Sequence, residues 1–545
     1  MNGGDALVAT LLAHGCDTGF CVPGESYLAV LEALRRESAR FRLITNRHEA
    51  GVTFAAEAYA KLTTKPGIAF VTRGPGATNA AIGLHTADQD SSPLVLFIGH
   101  VPSDHIGREA FQEIDYAQMY GGIAKAVIEP KAPAEVAEAT ARALEIAQAG
   151  RPGPVVVPLP EDVTEQDAGD PVIPGPRPRP ATPPDAEAVA EAVALIAGAR
   201  HPIIISGEMV SYEGAHQALI DLADASGAGV ITAFRRQDTY PNDADAYIGH
   251  YGLGRAAFQR EAWAECDLVI VAGNRLDAIT TEDYSLLRDD QKLIHIHVDP
   301  TVIGKTSAAD VAMACDVGAA MSAIAEALPP PPNARLEWRD TVHRNLRRFR
   351  DEPPEALGDV DMAVVVKTLA ARLQAEDHIL SNDAGNFSSW VHRYFSYNLP
   401  HSQAAPSSGA MGAGVPGALA AKLARPEATV IGMAGDGAFL MTGQELATAL
   451  LHELDINLIV CDNSTYGTIL MHQHRTQGPD AYHGVALKSP DFAALARAYG
   501  AAAWTVERTD QFAAALDEAL AHDGPTLIHL KTDIRDISAY GSLAG

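Results

Sequence analysis

Cysteine is scarce in this sequence of 545 residues, and its five cysteines never form a CxxC pair. They are Cys16, Cys21, Cys266, Cys315 and Cys461. An odd number of cysteines argues against a framework of disulfide bonds. We therefore expect a protein of the reducing cytoplasm, where thiols stay free.

Long apolar runs are also missing from the sequence. No stretch approaches the roughly 20 consecutive apolar residues that cross a bilayer. The N-terminal segment MNGGDALVATLL lacks the basic start and the long apolar run of a signal peptide. We expect a cytoplasmic protein without a membrane partner.

Basic residues are outnumbered by acidic ones, 41 to 69, which gives a net charge of -28. Nucleic acids and anionic membrane surfaces attract a positive field, so neither is expected as a partner. Any phosphate bound by this protein needs local help from a metal ion or from backbone N–H groups. A small-molecule partner is therefore the expectation.

What the sequence does contain is a regular alternation of strand-like and helix-like segments. GIAFV, PLVLFIGH, LVIVAGN, ATVIGMAG and INLIVCD are examples of the apolar strand segments. Such alternation predicts an α/β protein of parallel sheets covered by helices. Proline-dense breaks divide the chain into three domains, each a mainly parallel sheet flanked by helices. The predicted boundaries are a first domain 1–165, a Pro-rich linker 166–185, a second domain 186–330, a linker 331–357 with a basic helix-like run, and a third domain 358–545.

One β-α-β segment of the third domain places polar residues after two consecutive strands. Asp436 stands in a Gly-Asp-Gly turn after ATVIGMAG, and Asn463 follows INLIVCD. If the strands are neighbours, both side chains lie at one sheet edge, where α/β proteins bind ligands. Carboxylate and amide oxygens suit Mg²⁺, and the following helix offers N–H groups to phosphate. The competing interpretation is a simple helix cap at Asp436 and a turn residue at Asn463.

The combination of Gly-Asp-Gly, helix, strand and Asn at this separation resembles the signature of thiamine diphosphate enzymes. TNRHEAGVTFAAEAYAK, RGPGATNA, REAFQEID and SSGAMGAGVPGALAAK resemble segments of the acetolactate synthase-like branch. The resemblance runs through all three domains, in the order pyrimidine-binding, central and diphosphate-binding. It implies thiamine diphosphate and Mg²⁺ as cofactors, and a homo-oligomer, either a dimer or a dimer of dimers, that acts on a small carbonyl substrate.

The same resemblance implies roles for individual residues. Glu49 is expected to be the carboxyl that activates the cofactor, with Phe111 and Gln112 as further catalytic candidates. The metal ligands are expected to be Asp436, Asn463 and the carbonyl of Thr465. The expected cofactor-binding residues are Ala384, Asn386, Phe387, Gly409, Met411, Gly435, Gly437, Ala438, Tyr466, Gly467 and Ile469, with Met411 as the wedge that keeps the cofactor bent.

The central domain departs from the biosynthetic acetohydroxyacid synthases. Ile279 stands where those enzymes carry an arginine that holds the carboxylate of the second keto acid, and His472 aligns with their pocket tryptophan. Both differences weaken the expectation of a second 2-oxo acid substrate. Other basic side chains, Arg235, Arg236 and Arg275, are candidates to replace the missing arginine.

Several alternatives remain open from the sequence. The favoured function is decarboxylation and carboligation of a small 2-oxo acid, and the alternative is a lyase of 2-hydroxy ketones. A flavin-linked oxidase relative and a non-catalytic cofactor-binding protein are further possibilities. FAD is not favoured, because IIISGEMV carries a single glycine where a dinucleotide turn usually has more. His85 and His472 are either groups that assist proton transfer, since histidine titrates near neutral pH, or satisfied structural histidines, and the structural interpretation is favoured. Glu57 is interpreted as a surface residue, and Asp88 and Asp90 as charges at a helix end.

Overall fold

Three six-stranded sheets, all of them parallel, form the framework of the chain in a computed structural model that describes residues 1–543. This confirms the predicted α/β class with three sheet-based units flanked by helices. Each strand is followed by a helix or loop that returns the chain to the same end of its sheet. Parallel sheets of this kind are covered on both faces, so their strands are apolar throughout.

The first sheet has the strand order β2-β1-β3-β4-β6-β5. Its strands are β1 (Thr18–Cys21), β2 (Arg42–Thr45), β3 (Gly67–Val71), β4 (Leu94–His100), β5 (Ala126–Val127) and β6 (Pro154–Pro160). Its helices are α1 (Gly3–Ala13), α2 (Leu28–Arg36), α3 (Glu49–Thr63), α4 (Gly74–Asp90), α5 (Tyr116–Tyr120), α6 (Val136–Gln148) and α7 (Glu161–Glu165).

The second sheet has the order β12-β11-β10-β7-β8-β9. Its strands are β7 (Pro202–Ser206), β8 (Gly229–Thr232), β9 (Tyr247–His250), β10 (Leu268–Ala272), β11 (Lys292–Ile296) and β12 (Val311–Met313). The helices are α8 (Ala186–Gly198), α9 (Glu208–Tyr212), α10 (His216–Ser226), α11 (Ala257–Glu265), α12 (Val317–Ala327) and α13 (Asn333–Asp351). The interval 331–357, predicted to be a linker, therefore consists mainly of α13, which packs on β9 and α11.

The third sheet has the order β14-β13-β15-β16-β18-β17, which repeats the topology of the first sheet strand for strand. Its strands are β13 (His378–Asn382), β14 (Gln403–Ala404), β15 (Thr429–Gly435), β16 (Asn457–Asp462), β17 (Ala502–Val506) and β18 (Thr526–Lys531). Its helices are α14 (Met362–Leu373), α15 (Ser388–Tyr394), α16 (Gly414–Ala424), α17 (Asp436–Thr442), α18 (Leu446–Leu451), α19 (Gly467–Gln477), α20 (Phe492–Tyr499) and α21 (Thr509–Leu520).

The first and third units share one apolar core, in which α3 packs against α16. The small side chains of α16, with the sequence GVPGALAAKLA, allow this close approach. All five cysteines are buried free thiols. Within residues 1–543, no helix combines the length and the apolar character needed to cross a membrane.

Candidate active site

A cavity of about 300 Å³ opens at the carboxyl ends of the strands of the third sheet. Strands β15 and β16 are direct parallel neighbours, with Gly435 opposite Cys461. Asp436 and Asn463, which follow these two strands, therefore meet at the same edge of the sheet. All the predicted cofactor-binding and metal-ligand residues line this one cavity: Ala384, Asn386, Phe387, Gly409, Met411, Gly435, Asp436, Gly437, Ala438, Asn463, Thr465, Tyr466, Gly467 and Ile469.

Asp436 is buried, with 4% of its surface exposed. Its carboxylate accepts hydrogen bonds from the backbone N–H of Gly437 at 2.8 Å and from the hydroxyl of Ser489 at 3.2 Å. Neither partner carries a positive charge. Burial, together with the nearby Asp462, raises the pKa of Asp436 to about 6. A cation at this position would relieve both effects.

Asn463 begins a tight turn between β16 and α19. Its side-chain oxygen accepts a hydrogen bond from the backbone N–H of Thr465 at 3.0 Å, and Ser464 between them has a left-handed φ of 54°. The ring of Tyr466 packs against Gly437, where a Cβ atom would lie 2.7 Å from the tyrosine ring. The turn thus brings Asn463 and the carbonyl of Thr465 to the cavity beside Asp436.

The loop that carries Met411 is held in place by Asp383, a residue that the sequence analysis did not single out. The Asp383 carboxylate accepts hydrogen bonds from the backbone N–H groups of Ala384, Gly412 and Gly414 at 2.7–2.9 Å. Burial raises the pKa of Asp383 to about 6, although these bonds oppose the effect. Its position after a strand was the available signal, the same signal that identified Asp436.

Gly409 lies in this loop with a left-handed φ of 68°, a conformation that favours glycine. A Cβ atom there would meet no other atom within 4 Å, because the glycine faces open space. Gly409 itself belongs to the cavity lining.

The structure places the three predicted catalytic residues elsewhere in the chain. Glu49 is partly exposed at the first turn of α3, and its carboxylate accepts a hydrogen bond from the amide of exposed Asn79 at 2.9 Å. Gln112 packs its backbone against Gly74, close to the same helix end. Phe111 projects outward, with 74% of its surface exposed. None of these three residues lines the cavity of their own chain.

The cavity lining also contains apolar residues that the sequence does not identify, apart from Ile279. They are Phe234, Leu253, Ile279, Val360, Met362 and Trp390. Among residues 1–543, Arg235 is the one basic side chain in the lining. It is 2% exposed and donates to the carbonyls of Pro406 at 2.7 Å and Asp383 at 3.1 Å. Its guanidinium therefore ties the second unit to the third.

The other two candidate arginines are also engaged and lie outside the lining. Arg236 is buried and donates to the carboxylate of Asp90 at 2.8 Å, beside Lys61. Arg275 donates to the carboxylate of buried Glu208 at 3.1 Å. Of the three candidates only Arg235 lines the cavity, and its Nε has no hydrogen-bond partner within the described residues.

The structure bears out one interpretation of an acidic residue and contradicts another. Asp90 is the last residue of α4, as predicted for a charge at a helix end, and it is also 1% exposed and paired with Lys61 and Arg236. Glu57 is 4% exposed and accepts a hydrogen bond from the hydroxyl of Ser92 at 2.8 Å, so it is not a surface residue. Both side chains lie where α3 and α4 meet the second unit.

His85 on α4 and His472 on α19 are both exposed in the chain, so burial does not support the structural interpretation of either histidine. Asp88, in contrast, lies near the end of α4 and pairs with Arg151 at 3.3 Å.

Comparison with known families agrees with this architecture of three parallel sheets and one strand-edge cavity. The chain matches three family models: "Thiamine pyrophosphate enzyme, N-terminal TPP binding domain" over 1–119, the central domain over 189–324, and the C-terminal TPP binding domain over 383–530. The chain belongs to the thiamine pyrophosphate enzyme family.

Within this family the chain is an acetolactate synthase-like enzyme. It is 32% identical to a probable acetolactate synthase large subunit from Methanocaldococcus jannaschii, over 98% of this chain and 92% of the relative. It is also 32% identical to the acetolactate synthase isozyme 2 large subunit from Escherichia coli, over 98% of this chain and 96% of the relative. The large subunit from Parasynechococcus marenigrum is 33% identical, over 98% and 88%.

Proposed function

We propose that this enzyme uses thiamine diphosphate and Mg²⁺ to decarboxylate a small 2-oxo acid and to join the remaining acyl group to a second carbonyl compound. The observation that carries this proposal is the meeting of all the predicted cofactor and metal residues in one cavity. The pyrimidine-binding, central and diphosphate-binding roles of the intervals 1–165, 186–330 and 358–545 belong to the same proposal, as does a cytoplasmic location.

The residues of the cavity fit a metal-bound diphosphate. One carboxylate at Asp436, one amide oxygen at Asn463 and one carbonyl at Thr465 are hard oxygen donors. Mg²⁺ sites use one or two carboxylates and complete their shell with water and phosphate oxygens. The raised pKa of Asp436 shows a buried carboxylate without a cationic partner, which a divalent ion would supply.

When bound, thiamine diphosphate supplies a nucleophilic carbon that attacks carbonyl groups and then stabilises negative charge. The chain's own residues would orient it and control protons. Met411 lines the cavity with an apolar side chain that needs no hydrogen bond. The carbonyl of Gly409 would accept a hydrogen bond from the cofactor's amino group, and Asp383 fixes the loop that holds both residues. Glu49 would hold a proton at the pyrimidine ring from a neighbouring subunit.

A donor screen tests this function. The purified enzyme with thiamine diphosphate and Mg²⁺ is incubated with pyruvate or longer 2-oxo acids, with and without aldehydes, and the products are identified by mass. We expect CO₂ release and a new C–C bond. A protein that binds the cofactor but converts none of these donors would refute the proposed reaction.

A second candidate function is the cleavage of 2-hydroxy ketones, which reverses the bond-forming step. The apolar part of the cavity lining favours it, because Ile279 belongs to that lining and Arg235 donates to two backbone carbonyls. An uncharged substrate fits such a surface better than a second carboxylate. Incubation with acetoin and benzoin, followed by detection of aldehydes, distinguishes the two directions.

Ile279→Arg provides a matched test of the second substrate. An arginine in the cavity lining would favour a carboxylate by a charge-assisted hydrogen bond worth about 1.5–3 kcal/mol. We therefore expect the ratio of 2-oxo acid to aldehyde acceptance to rise by at least about tenfold. Ile279→Leu is the control, and an unchanged ratio in Ile279→Arg would argue that Ile279 does not contact the second substrate.

FAD does not belong to the proposed function. The turns after β7 and β10, where a dinucleotide would need space, are packed against each other. A Cβ atom at Gly207 would lie 2.4 Å from the Cβ of Asn274. Glu208 accepts hydrogen bonds from Asn274 at 3.2 Å and Arg275 at 3.1 Å across the same edge. An absorption spectrum of the pure protein tests this, since bound flavin is yellow.

A further inference from the structure

Glu445 occupies the interface between the third unit and the beginning of the helix that carries Glu49. It lies at the end of a 3-10 turn, Gly443–Glu445, which directly follows α17. Its side chain is fully buried, with 0% of its surface exposed. A buried carboxylate is costly unless hydrogen bonds compensate for the lost water, so its contacts call for an explanation.

The contacts of Glu445 converge on the turn that starts α3. One carboxylate oxygen accepts the backbone N–H groups of Arg47 at 3.0 Å and His48 at 3.1 Å. The other accepts the side-chain amide of Asn46 at 2.9 Å and the hydroxyl of Thr448 at 2.7 Å. All four donors are uncharged, and burial raises the pKa of Glu445. Three of the four lie within the three residues that precede Glu49.

The helix leaves little freedom around this carboxylate. Gly51, in the first turn of α3, faces it so closely that a Cβ atom there would lie 2.3 Å from its oxygen. His48 caps the same helix, and its ring nitrogen accepts the backbone N–H of Ala50 at 3.1 Å. The carboxylate thus fixes the backbone immediately before Glu49, and the cap fixes the backbone immediately after it.

We propose that Glu445 is the positioning residue of Glu49: it holds the turn 46–48 so that the Glu49 carboxyl reaches the cofactor at the distance that proton transfer requires. The inference rests on the proposed function, in which Glu49 activates the cofactor. Glu445 touches neither cofactor nor substrate and acts through the backbone. The turn that carries Glu445 directly follows the helix that begins with Asp436. One chain segment therefore contacts both the cavity and the turn before Glu49.

The test compares Glu445→Ala with the parent holoenzyme, loaded with saturating thiamine diphosphate and Mg²⁺. Loss of the carboxylate frees the turn, and a misplacement of about 1 Å costs on the order of 100-fold in rate. We expect exchange of the cofactor C2 proton for deuterium, measured by NMR after acid quench, to slow at least about tenfold. Cofactor affinity, measured by calorimetry, should stay within about fivefold, because Glu445 does not line the cavity.

Two further variants keep the test decisive if Glu445→Ala does not fold. Glu445→Asp keeps the charge but shortens the reach, so exchange should slow. Glu445→Gln keeps one acceptor oxygen for the two backbone N–H groups, and Asn46 can turn its unpartnered amide oxygen toward the new amide. We expect Glu445→Gln to retain exchange within about threefold of the parent. Glu57 is a second buried glutamate on the same helix. Glu57→Gln is the control and should exchange the C2 proton at the parent rate.

A double variant separates a positioning role from a general structural one. If Glu445 acts through Glu49, then Glu49→Gln combined with Glu445→Ala should exchange no more slowly than Glu49→Gln alone. Additive losses, or a loss in Glu445→Ala that merely follows reduced cofactor occupancy, would overturn the inference. If Glu49→Gln itself exchanges at the parent rate, the proposed function fails instead, so the two failures are distinguishable.

Discussion

Asp436 and Glu49 have different roles in the proposed function. Asp436 would bind the metal ion, and Glu49 would hold a proton at the cofactor. Asp436 lies inside the cavity, whereas Glu49 lies beside Asn79 on an exposed helix face. Substitutions at these two residues therefore separate cofactor binding from proton transfer. The first prediction concerns binding and the second concerns the proton.

Asp436→Ala removes the one carboxylate in the proposed metal site. A lost charge-assisted contact in a shielded site costs about 3 kcal/mol. We expect calorimetry to show thiamine diphosphate affinity in the presence of Mg²⁺ falling by at least about 100-fold. Asp455→Ala, at an exposed position, is the control. Parent-like affinity in Asp436→Ala would remove this residue from the metal site.

Glu49→Gln keeps the size of the side chain and one hydrogen-bonding oxygen. The cofactor should therefore bind within several-fold of the parent affinity, because the diphosphate site is untouched. An amide cannot exchange a proton as a carboxyl does, and assistance of this type is worth about 100- to 10,000-fold in rate. Exchange of the cofactor C2 proton should slow accordingly. If it does not, Glu49 is not the activating carboxyl, and a non-catalytic role gains support.

The packing of helices α3 and α4 explains why the burial of their acidic residues was not predicted. Both helices are covered on most sides, so charges that look solvent-facing along the sequence lie in the interior. Asp90 is neutralised by Lys61 and Arg236, and Glu57 lies beside this cluster. The second unit supplies Arg236, and no helical pattern could reveal that partner.

Burial raises the pKa of Glu57 from 4.5 to about 7, with Asp90 as the next cause. Between these two pH values the folded protein keeps a proton on Glu57 that the unfolded chain has lost. The stability that this proton contributes is fully present below pH 4.5 and is lost as the pH rises through about 7. Glu57→Gln has no such proton. We expect the apparent melting temperature of the parent, relative to Glu57→Gln, to fall across this interval.

Glu427→Gln, at an exposed position, is the control for the pH experiment and should follow the parent at every pH. A difference between parent and Glu57→Gln that does not change with pH would show that Glu57 keeps its ordinary titration in the folded protein.

At the scale of the whole molecule, Glu49 lies outside the lining of its own chain's cavity. Exposed apolar residues lie on α4, on α17 and beside Gln112. These residues are Ile82, Phe111, Leu440 and Met441, which are 36% or more exposed. A two-fold related partner would cover them and bring each Glu49 to the other chain's cavity. We therefore expect a dimer, or a dimer of dimers, by sedimentation.

Mixing two inactive variants tests the shared site directly. Glu49→Gln and Asp436→Ala are each expected to be deficient, but a hybrid dimer contains one site with neither substitution. After random reassortment half of the dimers are hybrids, so about a quarter of the parent exchange activity should return. No recovery, together with confirmed hybrid formation by mass spectrometry, would show that each site is built within one chain.

The sequence alone determined the class of fold and the contents of the cavity, because both depend on local order along the chain. Every apolar run predicted as a strand lies in a sheet, and residues that follow such strands in a parallel sheet must gather at one edge. The strands that the sequence did not reveal are β5, β9, β12 and β14, all at sheet edges. These four strands are only two to four residues long, so they lack a long apolar run.

Only the tertiary structure decided how charges are paired and which elements are held together. Glu57, Asp90 and Glu445 are ordinary acidic residues in the sequence, and their burial depends on partners more than 25 positions away. The apolar residues of the cavity lining likewise come from both the second and the third units. Electrostatic and packing energies depend on distance in space, which neighbouring letters in a sequence do not contain, and this is why these contacts could not be predicted from it.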